Sequence, residues 1–289
     1  MELRIIEYFL AVVREGNISA AAQTLHISQP ALSRQLKDLE EELGVTLFER
    51  GNRRIVLSEE GMILRKRAEE IIRLVHQTEK EVTEVRNSVS GDVYIGAGES
   101  SAFHYVSRAA GNIRRLYPDI RFHIISGDTR DLMDLLSRGL VDFALIFNDY
   151  DHSLYQGTEL PQKDVFGILM RKDAPLAEKK EISAADLEGI PLTVSRASLP
   201  FLDSWNLQIA GTYNLVFNAS LLAEDAGGYA LAFDQLVHTG KDSALCFRPL
   251  TPEISVRGTV IWKKYQVFSP ASELFIQQLK TVISEEEAA

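Results

Sequence analysis

Apolar positions in the first 57 residues recur at helical spacing in three short blocks separated by tight polar turns. Leu3, Ile6, Phe9, Leu10 and Val13 predict a first helix, and Gly16 offers its stop. Ser19 is placed to cap a second helix, whose Ala20-Ala21-Ala22 run allows close packing and which ends near Leu25. Ser28 predicts the cap of a third helix, with Pro30 in the first turn, where a missing N–H costs nothing. Along that helix Leu32, Leu36, Leu39 and Leu43 form a stripe for burial, and Gln29, Ser33, Arg34 and Lys37 fall opposite. Two short strands, residues 45–48 and 55–57, should then flank a turn carrying Arg50, Arg53 and Arg54.

The pattern changes at Ser58, which should cap a long helix carrying Glu59 and Glu60 in its first turn, where the helix dipole favours acids. Leu64, Ala68, Ile71, Val75, Thr78, Val82, Val85 and Val89 follow at alternating spacings of four and three. A helix packed on its own domain drifts with a 3.6-residue period, whereas a strict 3.5-residue repeat favours pairing with another helix. The expected partner is a second copy of the chain, with positions 64 to 85 as the seam.

From Gly91 onward, short β-rich runs alternate with amphipathic helices. Strands are expected at 93–96, 120–126 and 143–147, with helices at 101–116 and 129–138 between them. This βαβ rhythm predicts a parallel sheet covered by helices. A second set follows, with strands at 165–170 and 192–194, near 214–217, and at 229–233 and 256–262, and a short helix at 184–187. A helix at 272–283 closes the chain.

A length of 289 residues suits two domains, and 45% hydrophobic residues are enough to build real cores. No apolar run is long enough to span a bilayer, and the first residues form no secretory signal. With a single cysteine, Cys246, the chain has no internal disulfide, and a cytoplasmic location is expected. The charge is awkward for a nucleic-acid binder. It is −10 overall, and residues 1–88 hold 13 Lys+Arg against 15 Asp+Glu. DNA binding must therefore rest on where the cations sit.

Their placement suits a major groove. Gln and Arg make two-pronged contacts to adenine and guanine edges, while Ser and Lys reach bases or phosphates. The run from Ser19 through Ser28-Gln29-Pro30-Ala31-Leu32-Ser33-Arg34-Gln35-Leu36 to Leu43-Gly44-Val45-Thr46-Leu47-Phe48-Glu49-Arg50 closely resembles the signature of LysR-type transcriptional regulators. The resemblance implies an α/β protein with three parts. These are a winged helix-turn-helix at 1–58, a linker and dimerisation helix at 59–90, and at 91–289 an effector-binding domain of periplasmic-binding-protein type. Lobe I would comprise 91–160 and 268–289, and lobe II 163–265, with the chain crossing near 158–162 and returning near 265–268. DNA contacts would come from Ser28, Gln29, Pro30, Ser33, Arg34 and Lys37, with Arg50, Arg53 and Arg54 in the wing. The implied partners are operator DNA, a small effector between the lobes, RNA polymerase, and the chain itself as a homodimer or homotetramer.

Ligands of such sheets sit beyond the carboxyl ends of strands, often at helix N-termini. That rule selects Ser100, Ser101, Thr129, Ser195 and Arg196. Gly96-Ala97-Gly98-Glu99-Ser100-Ser101 lacks the third glycine of a dinucleotide fingerprint. The six histidines are scattered without metal spacing, so no cofactor or metal is expected. An enzyme built on the two-lobed domain is the rival reading, but no acid pair or catalytic triad supports it.

Overall fold

The computed structural model describes residues 1–49, 55–83, 90–196 and 205–287, and the chain divides into two units, Met1–Val85 and Arg86–Ala289. In the first, helix α1 (Leu3–Glu15) ends at Gly16, which adopts φ +64°. A left-handed cap of this kind suits glycine, which has no Cβ to clash. Helix α2 (Ile18–Thr24) is capped by Asn17, whose side chain accepts from the N–H groups of Ser19 and Ala20. The expected cap, Ser19, is instead the second residue of the helix, because the turn after Gly16 is two residues tighter than its position required. Helix α3 (Gln29–Leu43) starts as expected, with Ser28 accepting from Ala31 and proline in the first turn.

Phe9, Val12, Ala21, Leu32 and Leu36 build the core of this unit. Leu43 departs from the expected stripe and is 41% exposed. The chain turns at Gly44, and Leu47 closes the core in its place. Strands β1 (Phe48–Glu49) and β2 (Val56–Leu57) pair antiparallel. Arg50, Arg53 and Arg54 lie outside the described residues. Glu40, on α3, accepts from the N–H groups of Leu47 (2.6 Å) and Phe48 (3.2 Å), tying the wing to the helix.

Helix α4 (Glu59–Thr83) starts at Ser58, whose hydroxyl accepts from Gly61 at 2.9 Å. A Cβ on Gly61 would stand 2.1 Å from the carbonyl oxygen of Leu47, so glycine is required for the helix to approach so closely.

Among the described residues the second unit holds nine strands in one continuous ladder. They are β3 (Gly91–Ala97), β4 (Ile120–Ser126), β5 (Phe143–Ile146), β6 (Tyr155–Arg171), β7 (Pro191–Ser195), β8 (Gln208–Tyr213), β9 (Tyr229–Phe233), β10 (Leu245–Pro249) and β11 (Ser255–Lys263). The order is β4-β3-β5-β11-β6-β9-β7-β8, with β10 also on β6. Parallel pairing within β4-β3-β5 and within β9-β7-β8 marks the two lobes, joined by the antiparallel pair β6 and β11. Helices α5 (Phe103–Leu116) and α8 (Pro270–Glu287) bury one face of the first lobe, and α6 (Thr129–Ser137) buries the other through Leu132 and Leu136.

Helix α7 (Val216–Ala226) overturns the strand expected near 214–217. Val216 and Phe217 suggest a strand locally, but they open a helix carried by Ala219, Ser220 and Ala223 and ended by Gly227 at φ +67°. The strand of this region runs earlier, as β8. On the outward path Leu160 packs in the first-lobe core and Phe166 in the second, so the chain crosses between them. The return comes earlier than 265–268. Val256 packs with the second core and Val260 and Trp262 with the first, so the chain crosses around residues 257–259, at the register shift in β11. Among the described residues no helix is long and apolar enough to cross a membrane.

Candidate functional site

Two surfaces carry the candidate chemistry, one in each unit. On α3, Gln29, Pro30, Arg34 and Lys37 are exposed, while Leu32, Leu36 and Leu39 face the core. The helix therefore presents the polar row that its sequence predicts. Arg34 makes no ion pair among the described residues, which leaves its guanidinium available to a ligand. Lys37 lies 3.1 Å from Glu41 in an exposed i,i+4 pair that is weak and readily exchanged. Ser28 is exposed but already occupied as the helix cap, and Ser33 is half-buried.

The seam proposed on α4 divides in two. Ala68 is fully buried in the core of its own unit, and Leu64 and Ile71 pack partly against that core. Ala68 therefore has no surface left for a partner, which corrects its assignment as a pairing residue. Farther along, Ile71, Leu74, Val75, Thr78 and Glu79 line an open, mainly apolar groove. The side chain of Val82, and the whole of Val85, lie outside the described residues.

In the second unit a cavity of about 70 Å³ lies between the lobes, at the carboxyl ends of β3, β4, β5 and β7. Thr129 and Ser195 line it, as strand-end placement predicts. Thr129 donates its hydroxyl to Asn148 at 2.9 Å. Its walls include Phe147, Phe166 and Phe233, with the Phe233 ring 5.1 Å from Phe147 and 4.6 Å from Phe166. A Cβ at Gly98 would come within 2.8 Å of the Phe147 ring. The second glycine of the broken fingerprint thus serves the pocket wall.

The other predicted ligand contacts are placed differently. Ser100 and Ser101 do not line this cavity; they donate to Asp164 on the crossing strand β6, at 2.6 and 3.2 Å. Asp164 is 2% exposed, and burial pushes its carboxyl above the ordinary range despite the two hydroxyls and the Ser101 N–H. Both serines thus tie the start of α5 to the strand that crosses between the lobes. Arg196 stands beside the cavity, spanning the lobes to Asp128 (2.6 Å) and Asp131 (2.5 Å). Asp128 also caps α6. Burial would raise its carboxyl, but the Asp131 N–H and the bond and charge of Arg196 outweigh it and hold the group below the usual value.

Glu99 is a lining residue that sequence reasoning missed. Its carboxylate accepts from the N–H of Val216, at the start of α7, making a second link across the cleft. Burial pushes its pKa up, only partly offset by that N–H. Tyr213 also lines the cavity, donating to the Leu231 carbonyl at 2.7 Å, and burial with the nearby Glu99 charge pushes its phenol up. For Asp128 the available signal was an N-cap pattern before α6. Glu99 gave none, because its partner lies 117 residues away.

The profile of bacterial regulatory helix-turn-helix proteins of the lysR family matches residues 3–62, and that of the LysR substrate binding domain matches residues 86–284. A "Probable RuBisCO transcriptional regulator" of Synechocystis is 33% identical over 188 residues, covering 64% of this chain and 54% of that protein. The match to that relative thus spans just over half its length. The "HTH-type transcriptional regulator BsdA" of Bacillus subtilis is 31% identical over 220 residues, 75% of this chain and 72% of the relative. Among solved structures, full-length CbnR complexed with its target DNA has a TM-score of 0.74 at 20% identity, covering 98% of this chain and all of that one. That likeness is one of fold. With the substrate-domain profile alone spanning well over half of the sequence, and the helix-turn-helix profile ahead of it, the chain belongs to the LysR family of bacterial regulatory proteins.

Proposed function

We propose that the chain is a cytoplasmic DNA-binding transcription regulator whose grip on its operator is set by a small effector held between the lobes of the second unit. The observation that carries the DNA half is α3, which buries its leucines and leaves Gln29, Arg34 and Lys37 exposed on one side. That row fits the edges and phosphates of a major groove. Two copies would pair through the groove around Val75 and Thr78 on α4, presenting two such helices to one palindromic site. RNA polymerase is the further partner in this reading.

The effector half rests on the cavity lined by Thr129, Ser195 and the phenylalanines. A ligand there shifts the protein only by as much as it binds one lobe arrangement better than another. The family is one of regulators, and the reading is of a switch rather than an enzyme.

Fluorescence anisotropy on duplex from the promoter beside its own gene tests the DNA half. The wild type should bind specifically at moderate salt, and Arg34→Ala should weaken each half-site by about 1–3 kcal/mol. An Arg34→Ala protein that binds with undiminished affinity would overturn the assignment of α3.

A further inference from the structure

We propose that the cavity between the lobes takes a small cation, an ammonium on an aliphatic or aromatic body, in preference to a carboxylate. The inference rests on reading the cavity as an effector site and adds the chemical class of the effector.

Both groups near the cavity best suited to receive an anion are already occupied by the chain's own acids. The first N–H of α7 is given to Glu99. Arg196 is given to Asp128 and Asp131. A carboxylate ligand would have to displace one of these side chains and then sit beside it.

The remaining polarity is acidic. Glu99 and Asp128 line the cavity, and among the described residues no Lys, Arg or His lines it. Even counting the flanking Arg196 and Asp131, three acids face one base. Burial raises the Glu99 carboxyl and the Val216 N–H offsets this only in part, so the charged form lacks a full partner here. A cation placed there would complete that compensation.

The walls suit the same ligand. Phe147, Phe166 and Phe233 cluster with centroids 4.6–5.1 Å apart, and Tyr213 stands on the same wall system. Aromatic faces attract ammonium groups through the ring quadrupole, and the attraction grows as water is removed. Acids and rings in one lining therefore select positive charge on an apolar body.

Calorimetric titration of the full chain with matched primary amines and carboxylates, running from ethyl to phenethyl, tests this. Glu99→Gln keeps an acceptor for Val216 and removes the charge; Phe233→Ala removes a wall; thermal unfolding checks that both variants fold. Amines should bind saturably, weaken about ten-fold in Glu99→Gln, and weaken again in Phe233→Ala, while carboxylates stay inert. Carboxylates binding in preference to amines, with loss in Phe233→Ala, would overturn the charge assignment and leave the effector site standing. Amine binding indifferent to both variants would overturn the proposal by placing the amine elsewhere. Silence from both series would overturn it together with the effector reading.

Discussion

Asp164 stands where the chain leaves one lobe for the other, with Ser100 and Ser101 both donating to its carboxylate. Removing the acceptor strands two hydroxyls in a buried place, so Asp164→Ala should cost about 2 kcal/mol of stability. The pH response has a definite sign. The native pKa lies above the unfolded value of 3.8, so the contribution of Asp164 is most favourable below 3.8. It then declines as pH rises through the native value. Asp164→Asn should remove that decline. Both tryptophans, Trp205 and Trp262, lie in the second unit, so their fluorescence during denaturation at several pH values follows this hinge. A wild-type profile flat across the acid range would contradict the assignment. The same site shows what sequence could and could not reveal. Strand-end placement singled out Ser100 and Ser101 as functional positions, but their acceptor lies more than 60 residues away and only the fold brings it near. Ligand contact and hinge support look identical from a strand end.

At the scale of elements, α4 shows that one periodic pattern can run through two different surroundings. Along the 3.5-residue repeat Ala68 is consumed by the core of its own unit, while Val75 and Thr78 border an open groove. Spacing alone does not separate the two. The two halves should therefore respond differently. Ala68→Leu overpacks a site with no exposure and should destabilise the first unit by about 1–3 kcal/mol. Val75→Asp places a charge in the apolar groove and should shift sedimentation toward single chains while leaving the unfolding of that unit intact. Equal sedimentation of Val75→Asp and wild type would remove α4 from the pairing surface. Helix α7 makes the complementary point. Val216-Phe217 suggested a strand from two residues, and the helix became evident only from the buried Ala219, Ser220 and Ala223 that follow. By contrast, β4 and β9 fell on their expected residues, β4 as alternating apolar and polar positions and β9 as a compact apolar run, each bounded by clear breaks.

The whole molecule carries −10, so a duplex, itself an anion, meets a protein that repels it at long range. At about 0.15 M salt that field decays over roughly 8 Å, and only cations within contact distance matter. Binding then depends on a few residues of α3 rather than on bulk charge, and those residues should separate by role. In the proposed reading Arg34, exposed and without an ion pair among the described residues, would read a base edge, and Lys37, already shared with Glu41, would serve as a backbone cation. Lys37→Ala should weaken operator and random duplex alike and reduce the salt slope by about one per contacting head. Arg34→Ala should instead narrow the ratio of operator to random affinity by about ten-fold or more per half-site. Anisotropy titrations of both duplexes across a salt series distinguish the two. If Arg34→Ala lowered both affinities equally and left their ratio unchanged, Arg34 would be a phosphate contact. An acidic protein would then have to draw its sequence preference from Gln29 and from the shape of the duplex.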